Sequence, residues 1–157
     1  MEIERKFRLT HLPQGVRKDD YSLIRQGYLF SDDDVELRLR EKDGKYFMTC
    51  KGCEDEKGLA REEWERKIPS WMFDGLWPGT FRVRIEKRRY TLEGPNGLVF
   101  EIDVFLGSLR GLIILEVEFK DKDAAEHFEI PVEFRGIEVT NDDSYKNKHL
   151  AIFGIPT

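Results

Sequence analysis

The chain has 157 residues, two cysteines, 39% hydrophobic and 36% charged residues, and a formal net charge of −5. That length suits one domain with a substantial core, and the charged fraction is well above the usual quarter, so the excess charge needs a location. The small net charge argues against duplex DNA as a partner, no apolar run approaches membrane-spanning length, and the N-terminus lacks a charged-then-apolar leader, so a cytoplasmic protein is expected.

The opening stretch MEIERKFRL alternates with period two, which predicts a strand over 1–9. Glu2, Glu4, Lys6 and Arg8 share one face, and Ile3, Arg5, Phe7 and Leu9 the other. Further strands are predicted at 22–30, 34–42, 45–52, 60–68, 81–92, 98–106 and 111–120. Turn sequences at SDDD (31–34), KDGK (42–45), EGPNG (93–97) and LGSLRG (106–111) separate most of them. Short connections make neighbours antiparallel. SWMFDGLWP (70–78) predicts a short apolar helix ending at Pro78. KDAAEHFE (122–129) predicts a second, stopped before Pro131. Thr140 and Asp143 resemble a capping box opening a terminal helix over NDDSYKNKHLAIF. No repeat, low-complexity tract or linker divides the chain, so a single domain over 1–157 is expected. The fold class is mainly β (α+β): an eight-stranded antiparallel closed barrel with a few covering helices, a two-sheet sandwich being the alternative. The pair Cys50 and Cys53 in CKGC has no second pair and no histidine at ligand spacing, which predicts two reduced thiols at a hairpin turn.

An ionic face recurs along these strands. VELRLRE groups Glu36, Arg38 and Arg40, and REEWERKI groups Arg61, Glu63, Glu65 and Lys67. FEIDVF groups Glu101 and Asp103, ILEVEFK groups Glu116 and Glu118, and MTCKG ends on Lys51. Alternation alone does not say whether this face is lumen or outer wall. If it is lumen, acids and bases must neutralise one another, because an unpaired buried ion costs several kcal/mol. The outer apolar wall would then need cover, and Trp71, Met72, Phe73, Leu76 and Trp77, with Leu150, Ile152 and Phe153, are candidates to supply it. The charges also cluster as same-sign doublets on adjacent same-face positions, where they repel. Carboxylate doublets suit Mg²⁺ or Mn²⁺, and arginine doublets suit phosphate oxygens. A cavity holding both is built for a polyanion and its metal ions.

EIERKF, with Glu2, Glu4 and Lys6, resembles the ExExK signature of the CYTH, or triphosphate tunnel metalloenzyme, superfamily. ELRLR, TCKG, REEWE, IEKRRY, EIDVF, LEVEF and EVTNDDSY follow in the family's order along nearly the whole chain. The resemblance implies an eight-stranded barrel forming a tunnel with an ionic interior. It implies Glu2, Glu4, Glu116 and Glu118 as ligands of Mg²⁺ or Mn²⁺. It implies Lys6, Arg38, Arg40, Lys51, Lys87 and Arg89 as binders of a phosphate chain, with Arg61 at a further basic position. Glu2, Glu4, Lys6, Arg38, Arg40, Lys87 and Arg89 form the implied catalytic set. Glu63, Glu65, Glu101 and Asp103 match acidic positions that orient basic residues or help hold a second metal.

The implied activity is metal-dependent hydrolysis of inorganic triphosphate to pyrophosphate and phosphate. Adenylyl cyclase or thiamine-triphosphatase activity on the same scaffold is the alternative, and a non-catalytic polyphosphate-binding module is the alternative of another class. The expected partner is a triphosphate-type small molecule, without nucleic acid or membrane; a homodimer is left open. Lys87 and Arg89 share parity with Phe81, Val83 and Ile85, so the first half of that strand is expected beyond the tunnel or bulged, with Arg84 and Arg88 on the other face. Lys146 and Lys148 are expected on a solvated helix face.

Overall fold

The computed structural model describes residues 1–32 and 34–157; Asp33, in the predicted turn at 31–34, lies outside the described residues. Nine strands form one antiparallel sheet. They are β1 (Glu2–Leu9), β2 (Ser22–Ser31), β3 (Glu36–Lys42), β4 (Lys45–Glu54), β5 (Ala60–Ile68), β6 (Arg84–Glu93), β7 (Val99–Phe105), β8 (Ile113–Glu118) and β9 (Ile137–Glu138). Three helices accompany them: α1 (Ser70–Leu76), α2 (Lys122–His127) and α3 (Asn147–Phe153). The order β5-β4-β3-β2-β6-β7-β8-β1 closes on itself where Glu2 pairs with Arg61 and Ile3 with Ala60. Eight strands therefore make the predicted barrel. β9 adds a ninth beside Phe7 and Arg8; two residues are too few for periodicity to reveal.

The apolar strand faces point outward and are roofed. Ile3, Phe7, Phe100, Ile102, Leu115 and Val117 pack under Ala125 of α2 and under Phe134. Leu39 and Ile68 pack under Phe73 of α1, with Met72, Leu76 and Trp77 around them. Each such side chain removed from water contributes about 1.5–3 kcal/mol, which makes this sidedness the fold's main energetic decision. It leaves the ionic faces no place but the lumen.

One end of the lumen is stoppered. Ile85, Phe105 and Ile114 share the inward parity of Lys87, Asp103 and Glu116, and they pack with Leu112, Tyr145 and Leu150 of α3. The terminal helix is thus a plug rather than a roof. Ile152 and Phe153, expected to cover the wall, are exposed, as is Trp71. The predicted capping box does not form either. The Thr140 hydroxyl donates to Glu138 Oε2 at 2.6 Å and accepts from the Lys6 amide at 3.0 Å, and α3 starts only at Asn147.

The strand predicted from residue 81 begins at Arg84. Arg82 adopts φ 69° in the left-handed region, and the Val83 amide closes a turn on the Thr80 carbonyl at 2.9 Å. Ile85 is the inward residue at the stopper, which explains its apolar parity with Lys87. Arg84 and Arg88 point outward and stack on Trp77 and Tyr21. Gly27 allows the Thr80 turn to press against β2, since a Cβ there would meet the Thr80 Cβ at 2.5 Å. Cys50 and Cys53 are free thiols within β4 rather than in a turn. Among the described residues no helix is long and apolar enough to cross a membrane.

Candidate functional site

The lumen holds a cavity of about 190 Å³. Glu2, Glu4 and Lys6 of β1, Arg38 and Arg40 of β3, Lys51 of β4, and Arg61, Glu63 and Glu65 of β5 line it on one side. Arg89, Glu101, Glu116 and Glu118 complete it from β6, β7 and β8. Lys87 and Asp103 lie behind Arg89, fully buried. Period-two sidedness on seven strands thus brings the predicted set into one chamber, except Lys87 and Asp103, which lie behind its wall.

Most of these charges are paired. Asp103 accepts from Arg89 Nε at 2.8 Å and from its Nη2 at 2.9 Å through both oxygens, and it takes the Lys87 ammonium at 2.7 Å. Burial opposes the Asp103 charge, but Arg89 and Lys87 outweigh it and hold the carboxyl well below the usual range. Burial pushes the Lys87 ammonium down to about 8 despite that carboxylate. Arg89 also reaches Glu101 at 3.0 Å and Glu116 at 3.6 Å. Lys6 lies 3.8 Å from Glu116. Against the cost of burial, Lys6, Lys87 and Arg89 hold Glu116 down at about 2. Lys51 pairs with Glu2 at 2.9 Å, and Arg61 with Glu36 at 2.9 Å.

Two bases, Arg38 and Arg40, and four acids, Glu4, Glu63, Glu65 and Glu118, line the chamber without an ion pair among the described residues, and Glu2 has Lys51 alone. Arg38 Nε is buried without a partner, and Arg40 donates only to the Gln26 amide oxygen, at 3.0 and 2.9 Å. Burial, then Arg38 and Arg89, push the Arg40 guanidinium down to about 9. Burial also opposes the Arg38 charge, but Tyr28, Glu36, Glu2 and Glu63 hold it above its ordinary value. On the acid side, burial and then Glu116 push Glu4 up to about 7. Burial raises Glu2, with Glu63 adding to it, and raises Glu118, with Glu2 and Glu101 adding. A surplus of base on β3 therefore stands beside a surplus of acid on β1, β5 and β8. The first suits a polyanion and the second a hard cation.

The CYTH domain model matches residues 1–142. This chain belongs to the CYTH family. It is 47% identical over 153 residues to a protein of Nitrosomonas europaea named inorganic triphosphatase, covering 96% of this chain and 97% of that relative. A second protein of that name, from Acetivibrio thermocellus, is 36% identical over 155 residues, covering 95% and 92%. The crystal structure of the inorganic triphosphatase NE1496 superposes with a TM-score of 0.70 at 44% identity, covering 100% of this chain and 97% of that one. Inorganic triphosphatases are hydrolases of phosphoanhydride bonds.

This CYTH chamber also contains residues outside the predicted site set. Tyr28, Glu36, Glu54, Thr140, Lys146 and Asn147 line it. Lys146, expected on a solvated helix face, precedes α3 and ties Glu54 at 2.5 Å and Asp143 at 3.0 Å at the chamber's edge. Lys148 is half-buried and donates to the Asp32 carbonyl at 2.9 Å. Glu36 shared parity with Arg38 and Arg40, so its position was available as a signal. Gln26 and Tyr28 carry no charge and were hidden by that fact.

Proposed function

We propose that this CYTH protein hydrolyses inorganic triphosphate to pyrophosphate and phosphate in the barrel lumen, as a cytoplasmic enzyme acting on a small molecule. The observation that carries the reading is the Arg38–Arg40 doublet, Arg38 buried and Arg40 half-buried, without ion-pair partners among the described residues, because a buried guanidinium left unpaired is costly unless a ligand supplies the anion. In this reading Arg38 and Arg40 grip one part of the phosphate chain. Lys6, Lys51, Arg61 and Arg89 lie along the rest, where positioning and electrostatics dominate phosphoryl transfer. Asp103 orients Arg89 and keeps Lys87 charged behind it. Tyr28 is the single aromatic residue lining the cavity among the described residues, and it is buried, so no platform offers itself to a nucleobase or a thiamine ring.

The carboxylates of Glu4 and Glu118, with Glu2 beside them paired to Lys51, fit a hard divalent cation, Mg²⁺ or Mn²⁺, by donor chemistry and by their raised pKa values. Among the described residues no three acidic or imidazole side chains already converge to ligating positions. Glu116, neutralised by Lys6 and Arg89, contributes less free charge than the other three. When bound, such an ion supplies charge neutralisation on the phosphate oxygens and lowers the pKa of a water.

The test is phosphate release from triphosphate, ATP, thiamine triphosphate and long-chain polyphosphate with each metal, for wild type and Arg40→Ala. Triphosphate should be the preferred substrate. Arg40→Ala should lose about one to two orders of magnitude in kcat/KM, the equivalent of one charge-assisted contact. Triphosphate that binds without turnover would mean a binding module instead, and a silent Arg40→Ala would remove the doublet from the site.

A further inference from the structure

We propose that Gln26 is a positioning residue, itself held by the Tyr28 hydroxyl, which fixes Arg40 with a neutral partner so that the charge of this arginine stays available to the substrate. The proposal rests on the triphosphate reading above. The two strands set the residues opposite each other: in the β2–β3 register Gln26 pairs with Arg40, and Tyr28 with Arg38. Directly opposed cross-strand neighbours on one face are the closest a sheet provides. Gln26 Oε1 takes both Arg40 Nε and Nη2, at 3.0 and 2.9 Å, which fixes the plane of the guanidinium. Its Nε2 donates to the Tyr28 hydroxyl at 3.1 Å, which fixes the amide the right way round. Both side chains are buried, Gln26 completely. Burial and then Glu36 push the Tyr28 phenol up, so it stays an uncharged hydroxyl beside Arg38.

The contrast with the rest of the chamber is what gives the glutamine meaning. Lys6, Lys51, Arg61, Lys87 and Arg89 each face a carboxylate. A glutamate at position 26 would have the same shape, could make the same two bonds to Arg40, and would make them stronger, since ionic hydrogen bonds exceed neutral ones. For the empty protein, glutamate is the better residue. Burial beside Arg38 and Arg89 already pushes Arg40 down to about 9, the direction of a cation in want of a counter-ion. A neutral amide there leaves the want unmet until a polyanion enters. Orientation is supplied by Gln26, and the missing charge by the ligand.

The experiment compares Gln26→Glu and Gln26→Met with wild type in three measurements: unliganded Tm, KM and kcat for inorganic triphosphate, and triphosphate affinity by calorimetry. Gln26→Glu should keep or raise the unliganded Tm, while KM rises at least tenfold and rises more than kcat falls. Gln26→Met should show the opposite order, with a lower Tm and a smaller loss of triphosphate affinity than Gln26→Glu. A purely structural glutamine predicts that the glutamate variant binds triphosphate as well as wild type. Binding within twofold of wild type would overturn the proposal, and Gln26→Glu alone decides it if the methionine variant fails to fold. Wild type that binds no triphosphate at all would overturn the functional reading itself, a result distinguishable from failure of the positioning role.

Discussion

Asp103→Asn isolates the largest electrostatic debt in the barrel. The wild-type carboxylate is fully buried and serves two cations at once, Arg89 through both oxygens and Lys87 at 2.7 Å. Asparagine keeps the volume and one acceptor but removes the charge and turns an N–H₂ toward a cation. Leaving a buried ion without its partner costs about 3–5 kcal/mol. At about 2–4 °C per kcal/mol for a chain of this size, the unliganded Tm should fall on the order of 10 °C. The pH dependence carries a sign. A carboxyl held low in the folded state contributes stability that is present above its unfolded pKa and lost as pH falls through the folded value. The gap between wild type and variant should therefore be full at neutral pH and narrow below about pH 4, the unfolded aspartate range. Thermal unfolding followed by circular dichroism from pH 3 to pH 8 measures both. Arg89 loses its orienting fork as well, so kcat/KM for triphosphate should drop at least about tenfold, as for a lost charged hydrogen bond. A Tm within about 2 °C of wild type at pH 7, which is under about 1 kcal/mol, would refute the assignment of Asp103 as a shared counter-ion.

The acidic surplus makes a second set of expectations. Glu118→Gln should fold with an undiminished unliganded Tm, because it relieves repulsion with Glu2 and Glu101, yet lose most turnover and its dependence on added Mg²⁺ or Mn²⁺; retained metal-dependent hydrolysis would remove Glu118 from the ligand set. Glu4, raised to about 7, favours the folded state while protonated, so its contribution is present below about pH 4.5 and is lost as pH rises through 7. The unliganded Tm should fall between pH 5 and pH 8, and divalent-ion binding near pH 6.5 should release protons, read by calorimetry in two buffers of different ionisation enthalpy. On the outer wall, Leu39 is completely buried under Phe73, so Leu39→Asp should cost more than about 4 kcal/mol and leave the chain unfolded or aggregated by circular dichroism.

The barrel was legible because its sidedness is binary. A strand with charges at every second position can turn only one face to an apolar roof, and the packing of Ile3, Phe7 and Ile102 beneath α2 and of Leu39 beneath α1 decides which. The same parity carried Glu2, Arg38, Arg89 and Glu118 into one chamber without any contact being known. What parity could not deliver was pairing, because a one-dimensional pattern says which face a residue takes and not which carboxylate it meets. Hence Asp103, expected to orient basic residues or help hold a metal, emerged as the shared partner of Lys87 and Arg89, and Lys146 reached the chamber from outside the strands. The terminal helix was misread for a related reason. Thr140 and Asp143 have the spacing of a cap, but Lys6 and Glu138 claim the Thr140 hydroxyl across the sheet. Arg82 in the left-handed region likewise ended a strand that hydropathy would have continued.

The unbalanced charges of the lumen also say something about what enters it. A closed barrel with an ionic interior can persist only if nearly every buried charge has a partner, and Asp103, Glu116, Lys51 and Arg61 satisfy that demand internally. The remainder falls into two opposite surpluses on different strands, guanidinium on β3 and carboxylate on β1, β5 and β8, where Glu4, Glu63, Glu65 and Glu118 make no ion pair among the described residues. They do not cancel each other by contact, since neither Arg38 nor Arg40 makes an ion pair among the described residues. A polyanion alone would satisfy the arginines and burden Glu2, Glu4 and Glu118 with more negative charge. A divalent cation alone would satisfy the carboxylates and leave the arginines as they were. Only the two together neutralise both sides, each lowering the cost of the other's entry. The species to which this lumen is complementary is therefore the ion-paired phosphate chain rather than either component, and affinity for triphosphate and affinity for the metal should each be stronger in the presence of the other by the same factor.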